Sequence, residues 1–216
     1  MAIKLIRDNS GSVLVETTLV LPMFFLVTLG TIDASYMLYE WVLANKAVYV
    51  GARTAVLASP VATNITTAAF TSVELQNIGQ ACFNSSGTNV NCPSTGLVVC
   101  TSTACTPATF GFNSANFTPV LSAMQKIFPR VAAGNVTISY QTNGSGFVGE
   151  TASSGGLPMN VTVTLQCMTH QFYFLGALMN WVYTPPCGTT LQGPTLPTFS
   201  TTMQSEIMTN SSALAP

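Results

Sequence analysis

Gly11-Ser12-Val13-Leu14-Val15-Glu16 opens an apolar run that continues from Thr17 to Ile32, behind a short polar leader carrying Lys4 and Arg7. With Val13 to Val15 the run reaches about 20 residues, enough for a helix to cross the hydrocarbon of a bilayer if Glu16 is accommodated. Pro22 falls in its first third, and membrane helices accept proline with a kink or a loosened turn. An ionisable side chain at membrane depth is costly, so Glu16 marks a functional site and needs a partner. A newly exposed amino terminus has the right charge. Cleavage after Gly11 would make Ser12 the first residue and Glu16 the fifth.

Two plainer readings compete. A secretory signal peptide needs a small-x-small cleavage site after the apolar run. Here the run meets Gly30-Thr31-Ile32-Asp33 and carries on as a helical pattern, with Ala44 and Ala47 too far inside it to serve as an exit site. In an ordinary signal anchor, Glu16 would only reach up to the headgroups, as long polar side chains near helix ends do.

The helix should not stop at Asp33. Ala34, Met37, Trp41, Ala44, Val48, Ala52 and Ala55 recur at steps of three and four, the period of an amphipathic helix, with Asp33, Glu40 and Lys46 off that stripe. The first stop signal is Ser59-Pro60. A single helix from Ser12 to Leu57 would be roughly 70 Å long at 1.5 Å per residue. The small residues of the stripe favour docking under a folded head over a solitary helix or coiled coil, since most helical stability comes from packing such a face.

The opening pattern resembles the processing site of type IV prepilins and, more narrowly, the TadE-type pseudopilins of the tight-adherence (Flp) pilus system. The residues that carry the resemblance are Gly11, Val13-Leu14-Val15, Glu16, Leu19 to Pro22, Asp33 and Tyr36. Leu43 to Ala47, Gly51 to Ala55, and the closing stretch Thr198 to Glu206 are similar as well. The good match spans residues 11 to 58; Asp8-Asn9-Ser10 stands where many members have a basic run. The resemblance implies a pilin-like fold, leader removal by a prepilin peptidase between Gly11 and Ser12, and assembly with other pilins through Glu16.

Composition bounds the remainder. Only 6% of the 216 residues are charged and the net charge is −1, which leaves no electrostatic footprint for nucleic acid. The polar surface must come from Thr, Ser, Asn and Gln. Lys4 and Arg7 before the span place the leader in the cytoplasm and the rest outside. Cys82, Cys92, Cys100, Cys105, Cys167 and Cys187 all lie on the outer side, and an even number in an exported region reads as disulfides. Six cysteines allow 15 pairings. Nearest-neighbour spacing suggests Cys82 with Cys92, Cys100 with Cys105 and Cys167 with Cys187. A zinc site from Cys167-x-x-His170 with Cys100 and Cys105 is the rival, disfavoured by an oxidising compartment and by the lone histidine. Seven Asn-x-Ser/Thr sequons, Asn135 and Asn160 among them, are read as composition.

Past Pro60 the pattern is that of a small α+β head. Thr71 to Cys82 reads as a short helix, Leu97 to Cys100 as a strand, and Pro119 to Ala132 as a helix that Pro129 shortens. Val136 to Gln141 and Val161 to Cys167 alternate apolar and polar residues, as half-buried strands do. They should pair antiparallel with Cys167 on the buried face, and Phe199 to Gln204 adds a third strand. Thr142 to Pro158 should be a long exposed loop. Gln171 to Tyr183 is strongly apolar and too short for a confident span. It reads as a core helix of the head, or as a patch facing another subunit or the membrane.

No catalytic set emerges. His170 is the only histidine and no acid lies near it in sequence, so nucleophile, base and orienter cannot all be filled. The expectation is therefore not an enzyme and no cofactor. It is a leader (1–11), a helix with a transmembrane half (12–58) and an exported, disulfide-bearing head (59–216), packed as a long helix on a small antiparallel sheet. The role expected is a minor pilin or pseudopilin of a tight-adherence pilus, in the inner membrane with its head outside or on the cell surface. The alternatives are a membrane-anchored periplasmic binding module and a pseudopilin of a type II-like secretion machine.

Overall fold

The computed structural model describes residues 10–65, 78–82, 92, 96–143, 146–148, 158–170, 172–176 and 196–205. The fold is α+β: a long amino-terminal helix followed by a small antiparallel sheet, consistent with a pilin-like architecture. The chain forms two compact units, Met1–Glu40 with Thr169–Thr195, and Trp41–Met168 with Leu196–Pro216.

Helix α1 runs unbroken over Ser10–Leu57. From Leu14 to Val27 its side chains are exposed, and the helix is long and apolar enough to cross a membrane. Its hydroxyl groups are satisfied locally. Thr18 donates to the Val15 carbonyl at 2.8 Å, Thr28 to Phe24 at 2.9 Å and Thr31 to Thr28 at 2.7 Å. Such back-bonding is what hydrocarbon demands of a polar side chain, because no water is there to take its place. Pro22 is absorbed without ending the helix. The last turn closes with the Ala58 amide donating to Thr54, and Ser59-Pro60 stops it.

In the second unit, α1 from Trp41 onward lies under the sheet. Ala44, Ala47, Val48, Ala52 and Ala55 are all buried, and Lys46 is exposed. Two details of the expected stripe are corrected. Ala34 and Trp41 are exposed, whereas Asp33 and Glu40 are buried at 0% and 1% exposure. In the first unit, Asp33 and Glu40 are the buried positions of this stretch and Met37 is half-buried. Carboxylates can occupy such a face only if hydrogen-bonded, and both are.

The sheet has the order β2-β1-β3-β4-β5, antiparallel throughout, from Cys105–Thr106 (β2), Leu97–Cys100 (β1), Val136–Thr142 (β3), Met159–Leu165 (β4) and Phe199–Ser205 (β5). Ile138 faces Val163 and Tyr140 faces Val161, so the alternating pattern puts one apolar face inward. Full burial of each such aliphatic side chain contributes about 1.5–3 kcal/mol. The other face carries Thr, Ser, Asn and Gln, with Thr162 and Thr202 hydroxyls 2.7 Å apart across β4 and β5. Trp41 meets Phe199 edge to face at a centroid distance of 5.5 Å.

Helix α2 spans Ser114–Ile127, earlier at both ends than the pattern suggested. Asn113 caps it by accepting from the Ala115 amide at 3.0 Å, which sets the start, and Pro129 keeps the chain from continuing. Phe117, Val120, Met124 and Phe128 point inward. Tyr140 is buried at the sheet centre, and its hydroxyl accepts from the Val61 amide at 2.9 Å. This pins the chain where it leaves α1. Burial pushes the Tyr140 hydroxyl above its ordinary ionisation range, and the Val61 contact only partly opposes this, so the group stays neutral.

Other expectations shift. Strand β4 ends at Leu165, so Cys167 is off the sheet, half-buried, with φ of 57°. The Asn135 side chain holds that exit by donating to the Gln166 and Cys167 carbonyls at 3.0 and 3.1 Å. Of the expected helix Thr71 to Cys82, residues 71–77 lie outside the described residues, and 78–82 form turn and bridge, with Ala81 bridged to Phe147. Most of the loop 142–158 is likewise outside them. Its described Val148 is buried with the Cys82–Cys92 disulfide, not exposed. Cys100 and Cys105 form a second disulfide across the β1–β2 hairpin. Cys167 is disulfide-bonded too, while Cys187 lies outside the described residues.

Gly51 sets how closely α1 approaches the rest of the second unit. A Cβ there would lie 2.7 Å from Met124 Cγ, 2.8 Å from its Sδ and 3.5 Å from Val163 Cγ1. Gly51→Val should destabilise the fold by about 1–3 kcal/mol through overpacking. Met124→Ala in the same chain should recover part of that loss. Thermal unfolding of both variants and the double variant tests this, and strict additivity would contradict the contact.

Candidate functional site

The cleavage and pairing residues read from the sequence sit at the start of α1. Gly11 and Ser12 fall in its first turns, and Glu16 is exposed among exposed Leu14, Val15, Leu19 and Val20. A carboxylate on an otherwise apolar helix surface has no favourable place in lipid until a cation or donor meets it.

Further along the same helix lies a constellation that the sequence reading did not find. Asp33 is the first residue after the apolar run, and its carboxylate accepts three backbone N–H groups from one short segment. Tyr173 donates to Oδ1 at 3.1 Å, while Phe174 and Leu175 donate to Oδ2 at 3.0 and 2.9 Å. Consecutive amides turned to one anion form a small nest, and hydrogen bonds to a charged acceptor are the strong kind. Gly30, one turn before Asp33, lies beside Leu175: a Cβ there would be 3.4 Å from Leu175 Cδ1, an ordinary van der Waals contact.

Two turns beyond Asp33, the Glu40 carboxylate meets His170. Oε2 and Nδ1 are 2.6 Å apart, and both side chains are essentially sealed, at 2% and 0% exposure. Among the described residues, His170 Nε2 has no hydrogen-bond partner. Phe172 packs edge-on to the imidazole at 4.7 Å, and Tyr36 lies 5.9 Å away on another side. A pair so enclosed presents no proton to a substrate. It closes the same junction that Asp33 ties from one end.

Of the two readings of Gln171 to Tyr183, core helix or exposed patch, the described part does not support the first. Residues 172–176 are not buried in a head core: Tyr173 is 68% and Phe174 53% exposed. Residues 171 and 177–183 lie outside the described residues. The zinc reading loses its ligands: Cys100 and Cys105 are joined to each other, Cys167 is disulfide-bonded and His170 is committed to Glu40. Among the described residues no group of three or more His, Cys, Asp and Glu is placed to hold a metal ion.

One signal in the sequence pointed to the missed site. Asp33, Glu40 and Ala47 are spaced by sevens, so both acids share a helix face with a buried alanine. What sequence spacing does not carry is the partner, since His170 and Tyr173 are more than a hundred residues away.

A family model described as TadE-like protein matches residues 11–53, about a fifth of the chain. The matched stretch includes Glu16, Asp33, Tyr36 and Glu40. The family implies a pilus-associated component of the tight-adherence system, with a structural rather than enzymatic role. No curated protein and no solved structure matches the chain.

Replacing Asp33 with Ala removes the acceptor of three amides. Each hydrogen bond to a charged group contributes about 1.5–3 kcal/mol, so opening of the segment should become at least about tenfold easier. Amide hydrogen exchange at Tyr173, Phe174 and Leu175 should accelerate accordingly, with Asp33→Asn intermediate. Unchanged exchange in the alanine variant would contradict the tie.

Proposed function

We propose that this chain is a minor pilin or pseudopilin that takes part in assembling or initiating a tight-adherence pilus. The observation that carries the reading is the coincidence, over residues 11–53, of a TadE-like match with an uninterrupted helix whose first half is exposed, apolar and marked by Glu16. On this reading residues 1–11 are a leader cut after Gly11 by a prepilin peptidase. Residues 12–58 are the helix that waits in the inner membrane, and 59–216 make up the exported head. Other pilins of the same system are its partners.

The mechanism follows from the cost of Glu16. Left unpaired in hydrocarbon, its carboxylate is expensive. The positive amino terminus of Ser12, in the same or an adjacent subunit, offsets that cost on contact. A favourable pairing at a single depth sets axial register, because a subunit one turn out of step leaves the charge unmet. The disulfides suit an oxidising compartment. A head held by Thr, Ser, Asn and Gln surfaces, with few charges, has little to titrate once outside the cell.

The amino-terminal sequence and intact mass of the protein, from cells with and without the cognate prepilin peptidase, test the reading directly. A chain beginning at Ser12 only when the peptidase is present is the expected result. Retention of residues 1–11 in both strains would favour the anchored periplasmic module instead. In processed chains, Glu16→Ala should leave export and cleavage intact while lowering filament number. Normal filament number would remove Glu16 from assembly.

A further inference from the structure

Tyr173 and Phe174 are large, exposed and held at one defined point of α1. The three Asp33 hydrogen bonds fasten their backbone to the first residue past the apolar run. If Thr17 to Ile32 crosses the bilayer, that point is the outer boundary between acyl chains and headgroups. Tyr36 stacks edge-on with Tyr173 at a centroid distance of 5.3 Å, and Tyr39 on the same helix is exposed as well. Tyr173 and Phe174 at this boundary match the chemistry of a membrane interface, where aromatic rings keep the body in the acyl region and a tyrosine hydroxyl at the headgroups. In water, Tyr173 and Phe174 would be large, exposed aromatic side chains side by side.

We infer that residues 172–176 form an interfacial anchor that inserts into the outer surface of the membrane crossed by α1. The occupant of the patch is lipid, and its position follows from continuity with the span. The inference therefore rests on the span reading of the proposed function. Asp33 makes the arrangement tolerable: three amides take up its charge, so a carboxylate can sit at the edge of the hydrocarbon. Residues 172–176 carry no charged side chain, so binding should not require anionic lipid.

The test uses the full chain in phosphatidylcholine vesicles, with Trp41→Phe and Trp181→Phe removing the native indoles. Single tryptophans are then introduced as Tyr173→Trp or Phe174→Trp, and as Phe24→Trp for the span. Lipids brominated near the headgroup or deep in the acyl chain report depth by quenching. The anchor predicts a blue-shifted emission at 173 and 174 that shallow bromine quenches more than deep bromine, while the tryptophan at 24 responds most to deep bromine. Quenching at 24 with none at 173 or 174, and acrylamide reaching the latter two, would overturn the anchor and leave the span intact. Shielding of 173 and 174 from both quenchers would mean that protein covers them, and would also overturn it. No lipid quenching at any of the three sites would remove the span and the anchor together.

Discussion

Close approach along one face of α1 is the constraint on which the second unit depends. A helix can lie against a sheet and a second helix at short range only if its contact face is small. Ala44, Ala47, Val48, Gly51, Ala52 and Ala55 provide such a face. None buries much apolar area by itself. Their contribution is to let Met124 and Val163 come within van der Waals distance of the helix backbone, where many weak contacts add up. The sheet then needs only one apolar face, and its other face is free to be Thr and Ser. A chain with 6% charged residues can be built this way because its polar face relies on hydroxyls and amides rather than ion pairs.

In the first unit, α1 buries carboxylates instead, Glu40 and Asp33. Burying carboxylates is costly, and leaving either unpaired would cost more than the packing around it returns. Their partners are of two kinds. Glu40 takes an imidazole, and Asp33 takes main-chain amides, which in the partner segment only a proline substitution would remove. Polar ties of this sort have directional geometry that apolar contacts lack. They fix His170 and residues 173–175 to one rotation and one height on the helix, where hydrophobic burial alone would tolerate sliding.

Much of the fold was legible from periodicity. The length of α1, its stop at Ser59-Pro60, strands β1, β3, β4 and β5, and the antiparallel pairing of β3 with β4 all follow from period and breakers. Local chemistry set the boundaries that pattern missed. Asn113 starts α2 ahead of Pro119, and Asn135 ends β4 before Cys167 can join it. The acid–histidine site was not legible because its signal is ambiguous in one dimension. A carboxylate at a helical position ordinarily marks the solvent face, and only a partner distant in sequence reverses that reading. For Tyr173 and Phe174 the sequence left two readings open, since an apolar run ordinarily means core but serves equally as an exposed patch.

Three carboxylates on α1 therefore answer to one rule in different ways. Asp33 and Glu40 are met within the chain, by amides and by an imidazole, and they are buried. Glu16 is exposed on an apolar surface. A helix that satisfies two of its acids internally and presents the third at its apolar end holds one strong, directional interaction in reserve. Apolar side chains around Glu16 contact lipid or another helix about equally well, so they favour neither state strongly. The carboxylate does not share that indifference. On the proposed reading its energy depends on whether a positive group stands at the same depth, and that difference would let a membrane helix select its neighbours.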